Sequence, residues 1–461
     1  MPFLTLQDQH RCSFRRHFSR RWGEKLLALQ GYPSAHEGAL TGERGAFLIK
    51  ARTRPAETRR FREKRAAILD AGARLFNQHG VKGTTLNDIA NAVGMATTSV
   101  TYYYPSKEDL AAACLLASTE TIIGLVRTAR EATTLDERVR RLFSSYLVIL
   151  ASIENREHAE VAMFNDIRSL TGARVRTCFD AYTNMFREFR ELLRPFAGAT
   201  RMEENSRTHL ILSLFVAIKL LTPRYHVEDY KRLGDCLSNV VLGGIFAKAR
   251  WPDDCILPGA PPSGEKEASS ESFLRAATML INDQGYLGAS VDKICAYLNV
   301  TKGSFYHYND NKDDVVAACF ARSFDIIRSV QNEAVGRHER GADRLATIAA
   351  SLAANQLRGH GPLLRIFSAW NALPDEVRYD VETSMNRQTQ RFASIITDGQ
   401  YDGSVKTVDP LVAAHAVSIM INAAAEIERW VAGITTENVV DLYVRPLFFG
   451  LARSAKQSAS P

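Results

Sequence analysis

The chain contains one unit twice, and this repeat limits what it can fold into. A shift of 205 residues aligns the sequence with itself without a gap across the start of each unit. Under that shift, identical residues meet at Ala71 and Ala276, Leu75 and Leu280, Asn77 and Asn282, Gly80 and Gly285, Gly83 and Gly288, Ile89 and Ile294, Ser99 and Ser304, Tyr103 and Tyr308, Lys107 and Lys312, and Asp109 and Asp314. Near their ends, Gly244 and Gly450 correspond with one residue of drift. Because each copy of a repeat is one structural unit, we predict two complete units in tandem.

The spacing of apolar residues predicts an all-α fold. Apolar positions recur every three or four residues and alternating β-branched runs are few. With 461 residues, 46% of them hydrophobic, the chain can build at least two cores. The longest strongly apolar stretch, Leu210 to Leu221, contains Lys219 and is shorter than the roughly 20 residues that cross a bilayer, so no membrane span is expected.

The start of the first unit predicts three short helices. One face of the first carries Ile68, Gly72, Leu75 and Phe76, and this helix should end at Gly80. Thr85 is the expected N-cap of the second, with Asp88 completing a capping box. Its buried stripe would be Leu86, Ile89, Ala90 and Val93, and the third helix would run from Thr97 to Tyr104 after a turn at Gly94. Two helices joined in this way form a helix-turn-helix, whose second helix can enter a DNA groove.

The second unit repeats these signals. Asn299 stands where the first unit has Gly94, and both residue types tolerate a left-handed backbone. Ser290 replaces Thr85 as N-cap, and Thr301 can cap the third helix. Val291, Ile294 and Leu298 repeat the buried stripe.

Both units resemble the TetR (AcrR) family of bacterial transcriptional regulators. Residues 85–110 read TLNDIANAVGMATTSVTYYYPSKEDL, and residues 290–315 read SVDKICAYLNVTKGSFYHYNDNKDDV. The family's signature is a Thr-led second helix, a short turn, an S-x-G-T/S-φ-Y-x-x-F segment and P-S-K-E-x-L at the start of the fourth helix. The resemblance implies an N-terminal DNA-binding head of three helices in each unit, followed by a helical effector-binding and dimerisation domain.

The resemblance also implies which residues contact DNA. These are Thr85, Thr97, Thr98, Thr101, Tyr102 and Lys107 in the first head, and Ser290, Lys302, Gly303, Tyr306, His307 and Lys312 in the second. Hydroxyl groups and lysines would contact phosphates, and a Gly or a Thr methyl group could lie against base edges. Val100 and Phe305, and in part Tyr103 and Tyr308, are expected to pack in the head cores.

Both heads also depart from the family pattern. The first has Thr98 where Gly is usual and Thr101 where Tyr is usual, and the second has Asn309 for an aromatic residue and Asp310-Asn311 for Pro-Ser. Residues 268–319 hold four basic and six acidic residues, which weakens attraction to phosphates. An alternative function is therefore a ligand-sensing or partner-binding protein in which one or both heads have lost DNA binding.

The predicted domains follow from the repeat and the resemblance. They are a basic leader (1–58), head 1 (59–119, helix-turn-helix 85–104), helical domain 1 (120–250), a Pro- and Gly-rich linker (251–267), head 2 (268–324, helix-turn-helix 290–309) and helical domain 2 (325–455). Met and aromatic residues at helical spacing are core residues more often than ligand contacts. With that alternative, the candidate ligand-pocket residues are Met163, Phe164, Asp166, Tyr182, Met185 and Phe186, then Arg365, Phe367, Trp370 and Asn371.

Two segments that are apolar on nearly all sides should form the dimerisation surface. They are residues 210–218 and 412–425, each followed by a last helix at Leu233–Ala249 or Val439–Ala452. The two halves could pair within one chain as a pseudo-dimer, or two chains could form a homodimer. A pseudo-dimer would require an operator with unlike half-sites.

Charge and motifs narrow the remaining classes. The net charge is +7, but residues 1–65 hold 15 basic and 6 acidic residues, so the rest of the chain is slightly acidic. The leader has no secretory apolar region and could be a flexible DNA-binding arm, a transit-like peptide or the product of an early start codon. The sequence contains none of the common catalytic motifs, so an enzyme is not expected. The seven cysteines are scattered without the spacing of metal ligands, so neither a metal nor a cofactor is expected. The cluster of Glu154, Glu157, His158 and Glu160 is interpreted as a solvated helix face.

The expected function is that of a regulator in the bacterial cytoplasm, associated with the nucleoid. Its partners would be double-stranded promoter DNA and an unknown small-molecule effector, with no membrane. Repression is the family's usual outcome, and activation is the alternative.

Overall fold

The computed structural model describes residues 58–196, 200–248, 250–257, 265–298, 300, 311–357, 362–365, 373 and 375–451. The basic leader lies outside these residues. So do the following predicted positions: Asn299, Thr301, Lys302, Gly303, Phe305, Tyr306, His307, Tyr308, Asn309, Asp310, Phe367, Trp370, Asn371 and the side chain of Asp166.

The predicted all-α fold is confirmed. In the first unit the helices are α1 (Arg59–Gly83), α2 (Leu86–Ala92), α3 (Thr97–Tyr103), α4 (Lys107–Arg130), α5 (Leu135–Glu154), α6 (Gly172–Leu193), α7 (Arg201–Leu221) and α8 (Tyr230–Gly243). In the second they are α9 (Glu265–Gly288), α10 (Val291–Leu298), α11 (Lys312–Arg337), α12 (Gly341–Leu357), α13 (Asp375–Tyr401), α14 (Pro410–Ala423), α15 (Ile427–Trp430) and α16 (Arg445–Phe449). Short 3₁₀ turns include Phe164–Ser169, and a π-helical turn covers Val440–Val444.

The described residues pack into one large core and two small ones. Each head has its own apolar cluster, built around Ile68 and Val100 in the first and around Ile281 and Ile294 in the second. The large core runs without interruption through both helical domains. The heads are therefore separate small cores attached to a shared helical body.

The helical domains are joined where the sequence predicts its two apolar segments. Helix α14 packs against α7 and α8, and α7 also contacts the π-helical turn. Polar bonds accompany this packing: Asn205 Nδ2 donates to the Trp430 carbonyl oxygen (3.0 Å), and His209 Nε2 lies 2.9 Å from the carbonyl oxygen of Ala423. Such contacts within one chain bury the faces that an isolated unit would expose.

Two glycines let the ends of the two units touch backbone to backbone. Gly244 follows α8 and Gly450 follows α16, both with left-handed φ values, 73° and 86°. A Cβ atom on Gly244 would lie 2.3 Å from the carbonyl carbon of Phe449, and one on Gly450 would lie 2.3 Å from the carbonyl oxygen of Leu242. The contact is reciprocal between the two copies, and no residue larger than glycine fits without displacement of the other unit.

The first part of the predicted linker is packed against the protein. Residues 250–257 are irregular in conformation, but the Trp251 ring lies 5.5 Å from that of Phe448, and Cys255 and Leu257 are buried. The Leu257 N–H donates to Ser351 Oγ (2.9 Å). Helix α9 then begins at Glu265, inside the range predicted as linker.

Two helices are long and apolar enough to cross a membrane by length and hydropathy alone, although the sequence predicts none. They are Lys107–Arg130 and Pro410–Trp430. In each, 56% of the most apolar window is buried inside the protein, as in a core helix.

Replacing Gly244 by alanine should loosen the pairing of the units. We expect Gly244→Ala to lower the free energy of unfolding by roughly 3 kcal/mol, because the new methyl group clashes with Phe449. Gly403→Ala is the matched control: its φ is also left-handed, at 71°, but no atom lies within 4 Å of the added Cβ. It should lose only about 1 kcal/mol through backbone strain. Equal losses in urea unfolding would show that the close contact does not form in solution.

Acid should weaken the joint between the units. Burial lowers the pKa of His415 in α14 to about 4, helped by Arg224, and burial also lowers the pKa of His209 in α7. The unfolded chain then binds more protons than the folded chain between about pH 4 and 6.5, so stability falls as the pH falls through this range. His415 alone should cost about 2 kcal/mol between pH 7 and pH 5. Urea unfolding at both pH values should show a smaller pH effect in His415→Gln, and an unchanged effect would refute the assignment.

Candidate nucleic-acid interface

The first helix-turn-helix forms through the local signals that predict it. Thr85 Oγ1 accepts a hydrogen bond from the Asp88 N–H (3.2 Å), and the Asp88 carboxylate accepts one from the Thr85 N–H (2.8 Å), which completes the capping box. These hydrogen bonds lower the pKa of Asp88, so the cap is charged at neutral pH. Gly94 takes the left-handed φ of 66° that the turn needs. The predicted cap and turn are both confirmed.

Helix α3 is held by one apolar residue and presents its other side to solvent. Val100 is fully buried in the head core, as predicted, whereas Tyr102 is 75% exposed. Thr98 is exposed, and Thr97 and Thr101 are half-buried. The hydroxyl of Thr97 bonds to Asn87 Oδ1 (3.1 Å), which ties the start of α3 to the start of α2 and therefore brings Thr85 close to this side.

A basic segment at the start of head 1 lies beside α3. The ring of Phe61 in α1 packs against Tyr103 (4.7 Å between centroids) and edge-on against Tyr102 (6.2 Å). This packing brings the first turn of α1, with exposed Arg60 and Arg62, next to the exposed side of α3. The alternation of arginines around one phenylalanine is the signal that could have found this surface. It adds positive charge where nucleic-acid contacts are expected.

Two of the three predicted DNA-contacting lysines, Lys107 and Lys312, make bonds inside their own heads. Lys107 Nζ donates to the carbonyl oxygens of Thr84 (3.0 Å) and Lys82 (3.2 Å), just after α1. Lys312 Nζ donates in the same way to the carbonyl oxygen of Tyr286 and lies 4.1 Å from the centre of its ring. Burial lowers the pKa of Lys312 to about 8. Lys107 therefore ties α4 to the end of α1, and Lys312 ties α11 to the end of α9. The motif alone did not reveal this role.

The second head repeats the cap of the first. Ser290 Oγ accepts from the Lys293 N–H (3.3 Å), which confirms Ser290 as N-cap. The ammonium group of Lys293 binds Gln284 Oε1 (2.7 Å) and the Gly288 carbonyl oxygen (2.9 Å). Lys293 and Lys312, two of the four basic residues in this head, thus donate to groups of the protein itself.

An asparagine fastens each head to its helical domain through two matching hydrogen bonds. In the first unit, Asn77 Nδ2 donates to the Val161 carbonyl oxygen (2.9 Å), and Asn77 Oδ1 accepts from the Met163 N–H (2.8 Å). In the second, Asn282 makes the same pair with the Leu363 carbonyl oxygen (2.9 Å) and the Arg365 N–H (2.9 Å). We call each of these paired contacts an asparagine clasp.

A serine in α4 and a serine in α11 each bind the loop that the asparagine of their own unit holds. Ser118 Oγ accepts from the Ala162 N–H (2.8 Å), and Ser323 Oγ accepts from the Leu364 N–H (2.9 Å). Both serines also donate to the carbonyl oxygen four residues earlier, at Cys114 or Cys319. The loop after α5 and the loop residues 362–365 after α12 are therefore each held from two helices through three equivalent backbone groups.

The expectation of a solvated glutamate cluster is wrong for Glu160. Helix α5 ends at Glu154, and the chain then folds back between α1 and α7. The Glu160 side chain is only 10% exposed, forms an ion pair with Lys219 and accepts from Asn77 Nδ2 (3.1 Å). Its partner Lys219 comes from an otherwise apolar helix. A buried carboxylate needs such partners, and a linear sequence does not show which distant residue supplies them.

The candidate pocket residues divide between core and unit junction. Met185 is fully buried in the core, and Phe186 stacks on Trp430 of the second unit (4.6 Å between centroids). The rings of Phe164 and Tyr182 are half-buried and meet edge to face at 5.3 Å. The backbone of Met163 belongs to the clasp.

Arg365 also lies at the junction. Its guanidinium pairs with Glu426 and lies beside Arg168 of the first unit, which pairs with the same carboxylate.

Comparison with known proteins identifies the same segments. Residues 68–114 and 273–319 each match the family described as bacterial regulatory proteins, tetR family. Residues 338–430 match a family described as the tetracyclin repressor-like C-terminal domain.

Among individual proteins, the chain is similar to the HTH-type transcriptional repressor KstR2 of Rhodococcus jostii (strain RHA1), with 32% identity over 132 residues. The match covers 28% of this chain and 61% of that repressor. The HTH-type transcriptional regulator RutR of Escherichia coli (strain K12) is 46% identical over 52 residues, which are 11% of this chain and 24% of RutR. The chain thus matches less than two thirds of the length of either relative. The crystal structure of AibR in complex with isovaleryl coenzyme A and operator DNA matches with 24% identity and a TM-score of 0.34, covering 39% of this chain and 97% of that one.

Proposed function

Because this chain belongs to the tetR family of bacterial regulatory proteins and carries its units in tandem, we propose that it is a DNA-binding transcriptional regulator of the cytoplasm. The observation that carries the proposal is the exposed side of α3, with Tyr102 75% exposed, next to the arginines of the first turn of α1. Exposed tyrosines also occur elsewhere on the surface, at Tyr379 for example, so the weight rests on the position of Tyr102 on α3 beside arginines. Here its phenolic oxygen and the neighbouring guanidinium groups suit a phosphate backbone.

Each part of this surface has a distinct role in the proposed complex. The third helix would enter the major groove, with Thr98 and Thr101 toward base edges and Tyr102 toward phosphates. Arg60 and Arg62 would bind phosphates and add affinity that does not depend on sequence. Lys107 would act indirectly, because its ammonium group already holds the end of α1 in place. The head is thus positioned by internal bonds and binds DNA through the side chains left free.

Repression controlled by a small molecule is the expected mode of action. One relative that the chain resembles is described as a repressor, and a regulator bound at a promoter blocks access of polymerase. The effector would enter the helical body near the half-buried rings of Phe164 and Tyr182, or near Arg365 in the second unit. Apolar walls with a few polar groups are the usual lining of such sites.

The two units would act as one intramolecular pseudo-dimer. The contact of α7 and α8 with α14, and the backbone contact at Gly244 and Gly450, already bury the apolar faces that a homodimer would use. Two unlike heads in one rigid body would select an operator with unlike half-sites, spaced by whole turns of DNA.

Light scattering coupled to size exclusion tests this arrangement. We expect the mass of one chain, 51.3 kDa, over a hundredfold range of protein concentration, because pairing within a chain does not depend on concentration. With one selected DNA site, the complex should have the mass of one chain plus that of the DNA. A particle of twice that mass would mean that pairing occurs between chains and would overturn the pseudo-dimer.

DNA binding is tested on fragments selected from genomic DNA by the purified chain. Tyr102→Ala should weaken binding to a selected fragment at least tenfold, whereas Tyr379→Ala should not, although Tyr379 is 71% exposed. Arg60→Ala and Arg62→Ala should each reduce the salt dependence of log K by about 1. Equal behaviour of the two tyrosine variants would refute the α3 surface. Absence of any selected fragment would favour the alternative, a sensing protein whose heads no longer bind DNA.

A further inference from the structure

One side chain of the first unit reaches the clasp of the second head. Arg168 lies in the 3₁₀ turn Phe164–Ser169 of the first helical domain. Its Nη1 donates to the carbonyl oxygen of Asn282 (2.8 Å), and its Nη2 forms an ion pair with Glu426. The Arg168 side chain is only 18% exposed. A residue of one unit is thereby bonded to the first helix of the other unit's head.

The partners of Arg168 are themselves fixed. Glu426 also pairs with Arg365, whose N–H donates to Asn282 Oδ1 (2.9 Å). Arg365 and Arg168 lower the pKa of Glu426 to about 2, against the effect of its burial, so its charge is present at neutral pH. One turn later Arg429 donates to Asp283 Oδ1 (2.5 Å), next to Asn282 in sequence. The clasp of head 2 is thus one part of a network of ion pairs and hydrogen bonds that spans both units.

The bond from Arg168 meets α9 close to the point where that helix is broken. Asn282 lies three residues before Gly285, where φ is 71° and the helix is broken. Carbonyl groups in the last turn of a helix lack a full set of intrahelical donors, and a cation there also interacts well with the helix dipole. Arginine suits such a site because its planar fork can hold a carboxylate and a carbonyl oxygen at once.

The same turn also contacts the aromatic residues expected to meet an effector. Phe164 begins it, and its ring packs against Tyr182. Tyr182 in turn lies 5.5 Å, between ring centroids, from Trp430, four residues after Glu426. A ligand that shifts Phe164 or Tyr182 would therefore move the turn that carries Arg168.

We propose that Arg168 is a positioning residue through which the first helical domain sets the orientation of the second head in the same chain. Its role in regulation rests on the function proposed above, whereas the mechanical link itself can be measured without DNA. The link joins unlike units, so the state of domain 1 would be transmitted to head 2 in cis.

Hydrogen–deuterium exchange of the full-length chain tests the link. Arg168→Ala should speed exchange in α9 up to Gly285 roughly tenfold, because the lost charge-assisted bond held the end of that helix. Exchange in α1 of head 1 should stay as in the wild type. Arg174→Ala is the matched control, since Arg174 lies close by in sequence and makes a 2.6 Å ion pair with Asp109 inside the first unit. It should leave α9 unchanged.

The outcomes separate the link from the proposed function. Unchanged exchange in α9 of Arg168→Ala, or an equal rise in α1, would overturn the proposal. If Arg168→Ala does not fold, Arg168→Lys takes its place: the single ammonium group cannot bridge both acceptors, so faster α9 exchange supports the link and wild-type exchange overturns it. If α9 responds but the wild-type chain binds no DNA, the link stands and the regulator function falls.

Discussion

The burial of α7 and α14 against each other is the constraint on which the rest of the structure depends. Each helix contains a segment that is apolar on nearly all sides, so each segment needs a partner as well as the core of its own unit. Because the partner belongs to the same chain, its effective concentration is high and pairing costs little entropy. The shared core then fixes the relative position of the two helical domains, and each head is attached to that body through the loop after α5 or α12.

Comparison of the two units shows which contacts between a head and the helical body are the same in both copies and which differ. The asparagine and serine that hold the loop are the same in both units, and they bind three equivalent backbone groups of that loop. The charged residues beside them differ: Glu160 pairs with Lys219 in the first unit, whereas Arg365 pairs with Glu426 in the second. Hydrogen bonds of fixed direction therefore set the geometry of both heads. The buried charges need only be balanced locally, so their sign and source can differ.

The sequence predicted features whose causes lie within a few residues of one another. The Thr85 cap joins residues three positions apart, and the turn at Gly94 is set by the backbone conformation of that residue. The burial of Val100 follows from its place in the family motif. The position of Phe61 beside α3, the inward bonds of Lys107 and the burial of Glu160 depend on residues 23 to 83 positions away. Such contacts need the tertiary fold. The motif implies a DNA contact for Lys107 but could not show its bonds to the end of α1, because a motif records that a residue matters and not which atom it touches.

Joining two units in one chain changes what regulation can do. In a symmetric dimer both heads have the same sequence, so the same change in either helical domain has the same effect on DNA binding. Here the heads differ: the first presents Tyr102 with arginines, while Lys293 of the second is engaged within the protein. If the first head supplies most of the attraction to phosphates, the second contributes through its orientation, which the body controls. The contact of Arg168 with Asn282 then lets the first helical domain influence the second head. In an exactly two-fold assembly, the same contact would occur in both directions.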